Sequence, residues 1–296
     1  MQKLPKQSLE VLKALSYFHY LTSQQLVDLG IAKSVDSLNN WALAKLLPPP
    51  KAKGGKHRPS RYFCNSLRYG NTDATQAGVK LPYMHYMTQR GLDYLKWACE
   101  EELTGEKIWI PTPKEVLTND YFHRQHYVDA HICIRRWAQN VGAEIDFWNH
   151  DYQGDRTEPV NSIGRPPSVN SITLSDGSEI KPDGIFGMTC NGESRLFVLE
   201  LHNRTPPKGV VAQLHRNFIA LETVRAKFLE YSVRNDPIVL SIHSDQTTLT
   251  SVRSRIAQNG IFENVKRGLL FALLADLKNC TQSSWTHYDD SQSDLF

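Results

Sequence analysis

The sequence predicts an α+β protein in two parts, a basic helical quarter at the N-terminus and a larger mixed α/β domain. Three observations lead there. Residues 1–70 hold eleven Lys and Arg against three acids, although the 296-residue chain has a net charge of only +3. Apolar residues recur at helical spacing through that quarter. Beyond residue 140, short apolar or alternating runs are interleaved with longer helical ones, the order of a mixed sheet with helices on its faces.

In the first part, Leu9, Val11, Leu12 and Leu15 place one face of a helix over Ser8–Tyr17. Thr22 is a good N-cap for a second helix, Ser23–Leu29, and Gly30 stops it. Val35, Leu38, Ala42 and Leu46 carry a third over Lys33–Leu47. Three short helices with a tight glycine turn before the third suggest a helix-turn-helix. In the next stretch, PPPKAKGGKHRPSRYFCN, Gly54-Gly55 stands among Lys51, Lys53, Lys56, Arg58 and Arg61. A glycine turn flanked by cations reads as a β-wing, so the quarter is predicted to be a winged helix-turn-helix. Its cations would neutralise phosphates, while the third helix would offer Asn39, Asn40 and Lys45 to a groove. The alternative is a winged helix that contacts only protein; five wing cations favour double-stranded DNA. A fourth helix, N-capped by Thr88 within residues 83–98, closes the domain.

The expected divisions are 1–103 for the DNA-binding domain, 104–118 for a Pro- and charge-rich linker, 119–280 for the second domain, and 281–296 for a flexible polar tail. A composition of 40% hydrophobic and 22% charged residues is that of an ordinary globular protein. No run approaches the length of a membrane span, and the N-terminus lacks a signal-peptide core, so no membrane association and a cytoplasmic location are expected. The five cysteines are scattered, with no C-x-x-C pair to suggest a zinc knuckle or disulfide framework.

The second part opens with a helix from about Asp120 to Asn140, where His126 and Asp129 stand three residues apart on one face. A strand follows at Glu144–Trp148, then a Gly/Pro/Ser/Asn-rich loop over 150–172. Residues 180–202, IKPDGIFGMTCNGESRLFVLELH, read as a hairpin turning at Asn191-Gly192. A helix over Gln213–Ser232, a strand at Pro237–His243, a helix at Thr247–Gln258 and a strand at Leu269–Ala275 complete the domain. Because the turn lies midway, Asp183 and Glu200 are expected side by side at one end of the hairpin, with His202 on the same face as Glu200. Converging carboxylates suit a hard cation, Mg²⁺ or Mn²⁺. The plainer alternative makes Asp183 a turn residue and pairs Glu200 with Lys181 or Arg204. No phosphate-binding glycine-lysine loop, nucleophile elbow or H-E-x-x-H motif is present.

Pro182-Asp183 followed by Glu200-Leu201-His202 resembles the PD-(D/E)XK motif of restriction-endonuclease-like nucleases. The order winged helix, His126-x-x-Asp129, PDGIF, FVLELHNRT resembles the replication-relaxation family of plasmid and mobile-element proteins, which is similar to mobilisation relaxases of the MOBC class. This resemblance implies a restriction-endonuclease-like second domain and metal-dependent nicking of one strand at an origin or transfer region. It implies Asp183, Glu200 and His202 as metal ligands, with Lys181, Arg204 and His126 completing the catalytic set. Other plasmid-transfer or replication proteins would be partners. His202 stands where the pattern carries Lys or an acid, and a neutral imidazole steadies developing negative charge poorly. It could instead ligate the ion or shuttle a proton. A non-catalytic replication or transfer regulator on a degenerate nuclease fold is the alternative.

Overall fold

A computed structural model describes residues 3–48, 62–67, 81–100, 108–111, 121–155, 157, 159, 166–203, 205–228, 236–259, 268–279, 285–293 and 295. The chain divides into two compact units, 1–128 and 129–296. It is a mixed α+β protein, and each unit has its own sheet.

In the first unit the element order is α1 (Lys6–Phe18), β1 (Leu21–Thr22), α2 (Ser23–Asp28), α3 (Val35–Ser37), β2 (Cys64–Leu67), β3 (Met84–Met87) and α4 (Gln89–Ala98). The Thr22 cap forms a full capping box with Gln25, and Gly30 takes a positive φ of 78°. The third helix is not the single α-helix expected over Lys33–Leu47. After Ser34 caps α3, the chain makes one wide π-type turn over Leu38–Ala42 and a tighter 3-10 turn over Leu43–Lys45. This change of pitch buries Leu38, Ala42, Leu43 and Leu46 while Asn39, Asn40 and Trp41 stay in solvent.

The strands pair antiparallel in the order β1-β3-β2, with Leu21 opposite His85 and Cys64 opposite Met87. The hairpin is therefore β2–β3, with its connection over residues 68–83. The cationic segment 51–61, in which the sequence placed the wing, precedes β2 and lies outside the described residues. Of the expected linker only 108–111 are described, and there Trp109 is buried with its ring 4.9 Å from that of His19.

The second unit is built on a five-stranded sheet ordered β10-β9-β8-β7-β4. Its elements are α5 (Tyr121–Val141, within which the unit boundary falls), β4 (Glu144–His150), β5 (Ile172–Thr173), β6 (Glu179–Ile180), β7 (Gly184–Cys190), β8 (Glu193–His202), α6 (Pro207–Lys227), β9 (Ile238–His243), α7 (Gln246–Gln258), β10 (Leu269–Leu273) and α8 (Leu274–Lys278). Strands β4, β7 and β8 run antiparallel; β8, β9 and β10 run parallel. On one face Ile185, Leu196, Val198 and Val239 pack with Val210 and Leu214 of α6 and Val252 of α7. On the other, the rings of Trp148, Phe186 and Phe197 stack at 4.2 and 4.9 Å, and His131 of α5 stacks on Trp148 at 3.6 Å. A Cβ at Gly187 would come within 2.6 Å of the Phe147 ring that covers it, so any larger residue here must displace that ring.

The described part of the expected flexible tail, residues 285–293 and 295, is held against the second unit's sheet. Trp285 and Leu295 are buried, Thr286 bonds both ways with the Phe271 backbone at 2.8 and 3.0 Å, and Arg195 donates to the Leu295 carbonyl at 2.8 Å. Two apolar anchors and the open edge of β10 outweigh the polar composition between them. Among the described residues, no helix is long and apolar enough to cross a membrane.

Candidate functional site

In the second unit the site begins at the hairpin. Asn191 and Gly192 both take positive φ, 51° and 80°, the geometry of a two-residue turn that fixes register. Gly184 pairs with Leu199, so Asp183 stands opposite Glu200. The expected juxtaposition is present. The Leu201 amide donates to Asp183 Oδ2 at 2.7 Å, and the Asp151 amide donates to the Asp183 carbonyl at 3.0 Å. Just upstream, the fully buried Asn170 donates through Nδ2 to the Pro182 carbonyl at 3.0 Å and the Asn149 carbonyl at 3.3 Å. The Pro-Asp step is thus tied to the hairpin, to β4 and to the loop before β5.

Glu200 is 1% exposed. Its Oε2 accepts from Gln213 Nε2 at 2.5 Å and its Oε1 from Asn217 Nδ2 at 2.6 Å, both from α6. One N–H on each oxygen is the arrangement an ionised carboxylate accepts. Glu200 opens on a cleft of about 330 Å³ that Lys181, Gln213, Arg216 and Asn217 also line. Lys181 does not pair with Glu200; its ammonium lies 3.6 Å from Asp151 Oδ2. Arg216 donates to the Glu179 carbonyl at 2.7 Å, which holds β6 beside α6.

His202 is buried, and its ring centroid lies 4.9 Å from that of His243, its partner in register on β9. His243 Nε2 lies 2.9 Å from Ser241 Oγ. Burial, then the neighbouring His202 and Arg253, push His243 down to about 3, so it is neutral at ordinary pH. The structure therefore brings Asp183 and Glu200 together and sets His202 one step further along β8, against a second imidazole. Among the described residues, no group of three or more His, Cys, Asp or Glu side chains has metal-binding geometry. Arg204 lies outside them. Asp129 meets Lys278 at 2.6 Å, and His126 is half-buried on α5, its ring 6.4 Å from Phe122.

Sequence reasoning missed Gln213, Asn217 and Asn170. The first two stand four apart on one helix and so share a face, a signal that was available. Asn170 sits in an irregular loop and gave none.

In the first unit, Asn39, Asn40 and Lys45 are all exposed. Between them stands Trp41, 70% exposed and also missed. The five wing cations lie outside the described residues. Comparison with protein-family models, with curated proteins and with solved structures finds no match to this chain.

Proposed function

We propose that this is a DNA-binding protein of a plasmid or other mobile element that recognises an origin or transfer region and nicks one strand with a divalent ion. One observation carries the reading: two carboxylates, Asp183 and Glu200, held opposite each other at the end of a central hairpin beside a cleft lined by Lys181 and Arg216. The donor set fits Mg²⁺ or Mn²⁺, because it consists of hard oxygens at the end of a paired hairpin. Gln213 and Asn217 orient one ligand as outer-shell amides do. The ion, held by Asp183 and Glu200, would supply Lewis-acid activation of water and of the scissile phosphate. Lys181 and Arg216 would draw the backbone phosphates into the cleft.

The element order α1-β1-α2-α3-β2-β3 with sheet order β1-β3-β2 supports a winged helix in the first unit, and Asn39, Asn40 and Lys45 supply its reading edge. The mixed sheet with the carboxylates on its central hairpin supports a nuclease-like second unit. A second reading, a non-catalytic replication or transfer regulator, draws on His202: a buried imidazole packed on His243 stands where a nuclease carries lysine.

Incubating supercoiled plasmid that carries the element's origin with the protein and Mg²⁺ or Mn²⁺ decides between them. Open circles that need the metal support the nuclease. Tight, salt-dependent binding with the plasmid left supercoiled assigns the regulator.

A further inference from the structure

Behind the reading edge of the first unit runs a chain of hydrogen bonds, and its direction bears on which base that edge accepts. This inference rests on the DNA-binding reading above. His85 on β3 is 3% exposed, and each of its ring nitrogens meets a serine: Nδ1 lies 2.8 Å from Ser66 Oγ, and Nε2 lies 2.9 Å from Ser23 Oγ. Ser23 Oγ in turn donates to Asn39 Oδ1 at 3.1 Å.

A hydroxyl has one proton to give. Ser23 gives its proton to Asn39, so it accepts from His85 Nε2–H. The neutral ring then has no proton on Nδ1, which accepts from Ser66. The chain runs one way, from Ser66 through His85 and Ser23 to Asn39. Burial keeps this ring neutral at ordinary pH, which preserves that direction.

The consequence falls on Asn39, which is exposed. Ser23 takes one lone pair of its amide oxygen and so fixes which way the amide lies, with Nδ2, a donor, on the side away from Ser23. An asparagine that reads adenine needs both atoms, the oxygen for N6–H and the nitrogen for N7. A side chain that leads with its N–H groups matches guanine, whose major-groove edge offers two acceptors, N7 and O6. We propose that Ser23 and His85 are positioning residues that fix the Asn39 amide with its Nδ2 donor leading, so that it prefers guanine.

The test uses the full chain and a pool of randomised DNA duplexes, with the bound fraction sequenced for the wild type, Ser23→Ala, Ser23→Thr and Asn39→Ala. The wild type should select guanine over adenine at one position by at least about fivefold, the smaller end of what a good base contact supplies. Asn39→Ala should erase that preference. Ser23→Ala frees the amide to turn, so adenine should become as acceptable as guanine there, with the other positions unchanged. Ser23→Thr, which keeps the hydroxyl, should restore the preference. Replacing that guanine with 7-deazaguanine should weaken the wild type and leave Asn39→Ala unaffected.

Adenine at the Asn39-dependent position, or an unchanged preference in Ser23→Ala, overturns the inference. Salt-dependent binding with no preference at any position also overturns it while leaving the DNA-binding reading intact. No binding to any duplex at low salt overturns both.

Discussion

His85 in the first unit and Glu200 in the second are both buried polar groups whose hydrogen-bonding atoms are engaged on two sides. His85 lies between two serine hydroxyls on a path that ends at an exposed asparagine. Glu200 lies under two amides of α6 and faces a second carboxylate across the hairpin. The difference is charge. A neutral imidazole between hydroxyls costs little to bury and can be replaced by another neutral group. A carboxylate in the interior survives only through its donors, so each donor carries part of the desolvation cost of a full charge. The first arrangement suits an edge that must discriminate between ligands, the second a site that must hold charge in a fixed place.

The largest effect should come from disturbing the charge that stands opposite Glu200 across the hairpin. Asp183→Asn keeps the shape and an acceptor for the Leu201 amide but removes the negative charge. Plasmid nicking in Mg²⁺ or Mn²⁺ should fall to background, while duplex affinity, measured by anisotropy of a labelled DNA, should not change. Retained nicking would remove Asp183 from the chemistry and with it the reading of the second unit.

Next in size is a stability effect that separates the two arrangements. Asn217→Leu deprives Glu200 Oε1 of a donor 2.6 Å away while filling similar volume. Leaving a buried charge short of a partner should cost about 2–4 kcal/mol, read as a lower urea midpoint. The matching change in the first unit, Ser23→Ala, should stay within about 1 kcal/mol, since only neutral groups lose a partner. Equal costs for the two substitutions would show that Glu200 is not held as a carboxylate.

How much of this was legible in the sequence divides along the same line. The Thr22 cap, the Gly30 stop, the Asn191-Gly192 turn and the opposition of Asp183 to Glu200 are local or follow from counting residues about a turn, and all were read correctly. The helix α6 starts at Pro207 and not at Gln213 as expected, since proline is well tolerated in a first turn. β1 is two residues long, below any periodicity, and its existence depends on β3, more than sixty residues away. The donors to Glu200 were half legible: the spacing of Gln213 and Asn217 puts them on one helix face, but what lies beneath that face is set by the sheet.

Acid should produce a smaller, graded effect. Burial first, then Arg124, holds His19 down to about 3, and burial holds His85 to about 4; His243 in the second unit is likewise near 3. The ordinary value is near 6.5, so below that pH the unfolded chain takes up protons that the folded chain refuses. The stability these neutral rings contribute is complete above about pH 6.5 and is lost progressively as pH falls from there towards 4. Each ring steepens the loss by up to about 1.4 kcal/mol per pH unit. His85→Gln, which retains a donor and an acceptor, should remove one ring's share of that slope. An unaltered slope in this variant would mean that His85 is already protonated in the folded protein.

The smallest expected change in stability belongs to Trp41, where binding and folding come apart. With 70% of its surface in water, the indole buries little, so Trp41→Ala should shift the unfolding midpoint by no more than about 0.5 kcal/mol. A large apolar ring next to two exposed asparagines is costly to leave in water, and in a DNA reader its use is apolar contact with a base edge such as the thymine methyl group. The same substitution should therefore weaken duplex binding by about 1 kcal/mol, roughly fivefold, with the salt dependence unaltered because no phosphate contact is removed. Indole fluorescence should change on adding duplex to the wild type, and that change should shrink in Trp41→Ala. If affinity for DNA is untouched and the variant instead loses self-association in sedimentation, the indole belongs to a contact between copies of the chain, and the reading edge is confined to Asn39, Asn40 and Lys45.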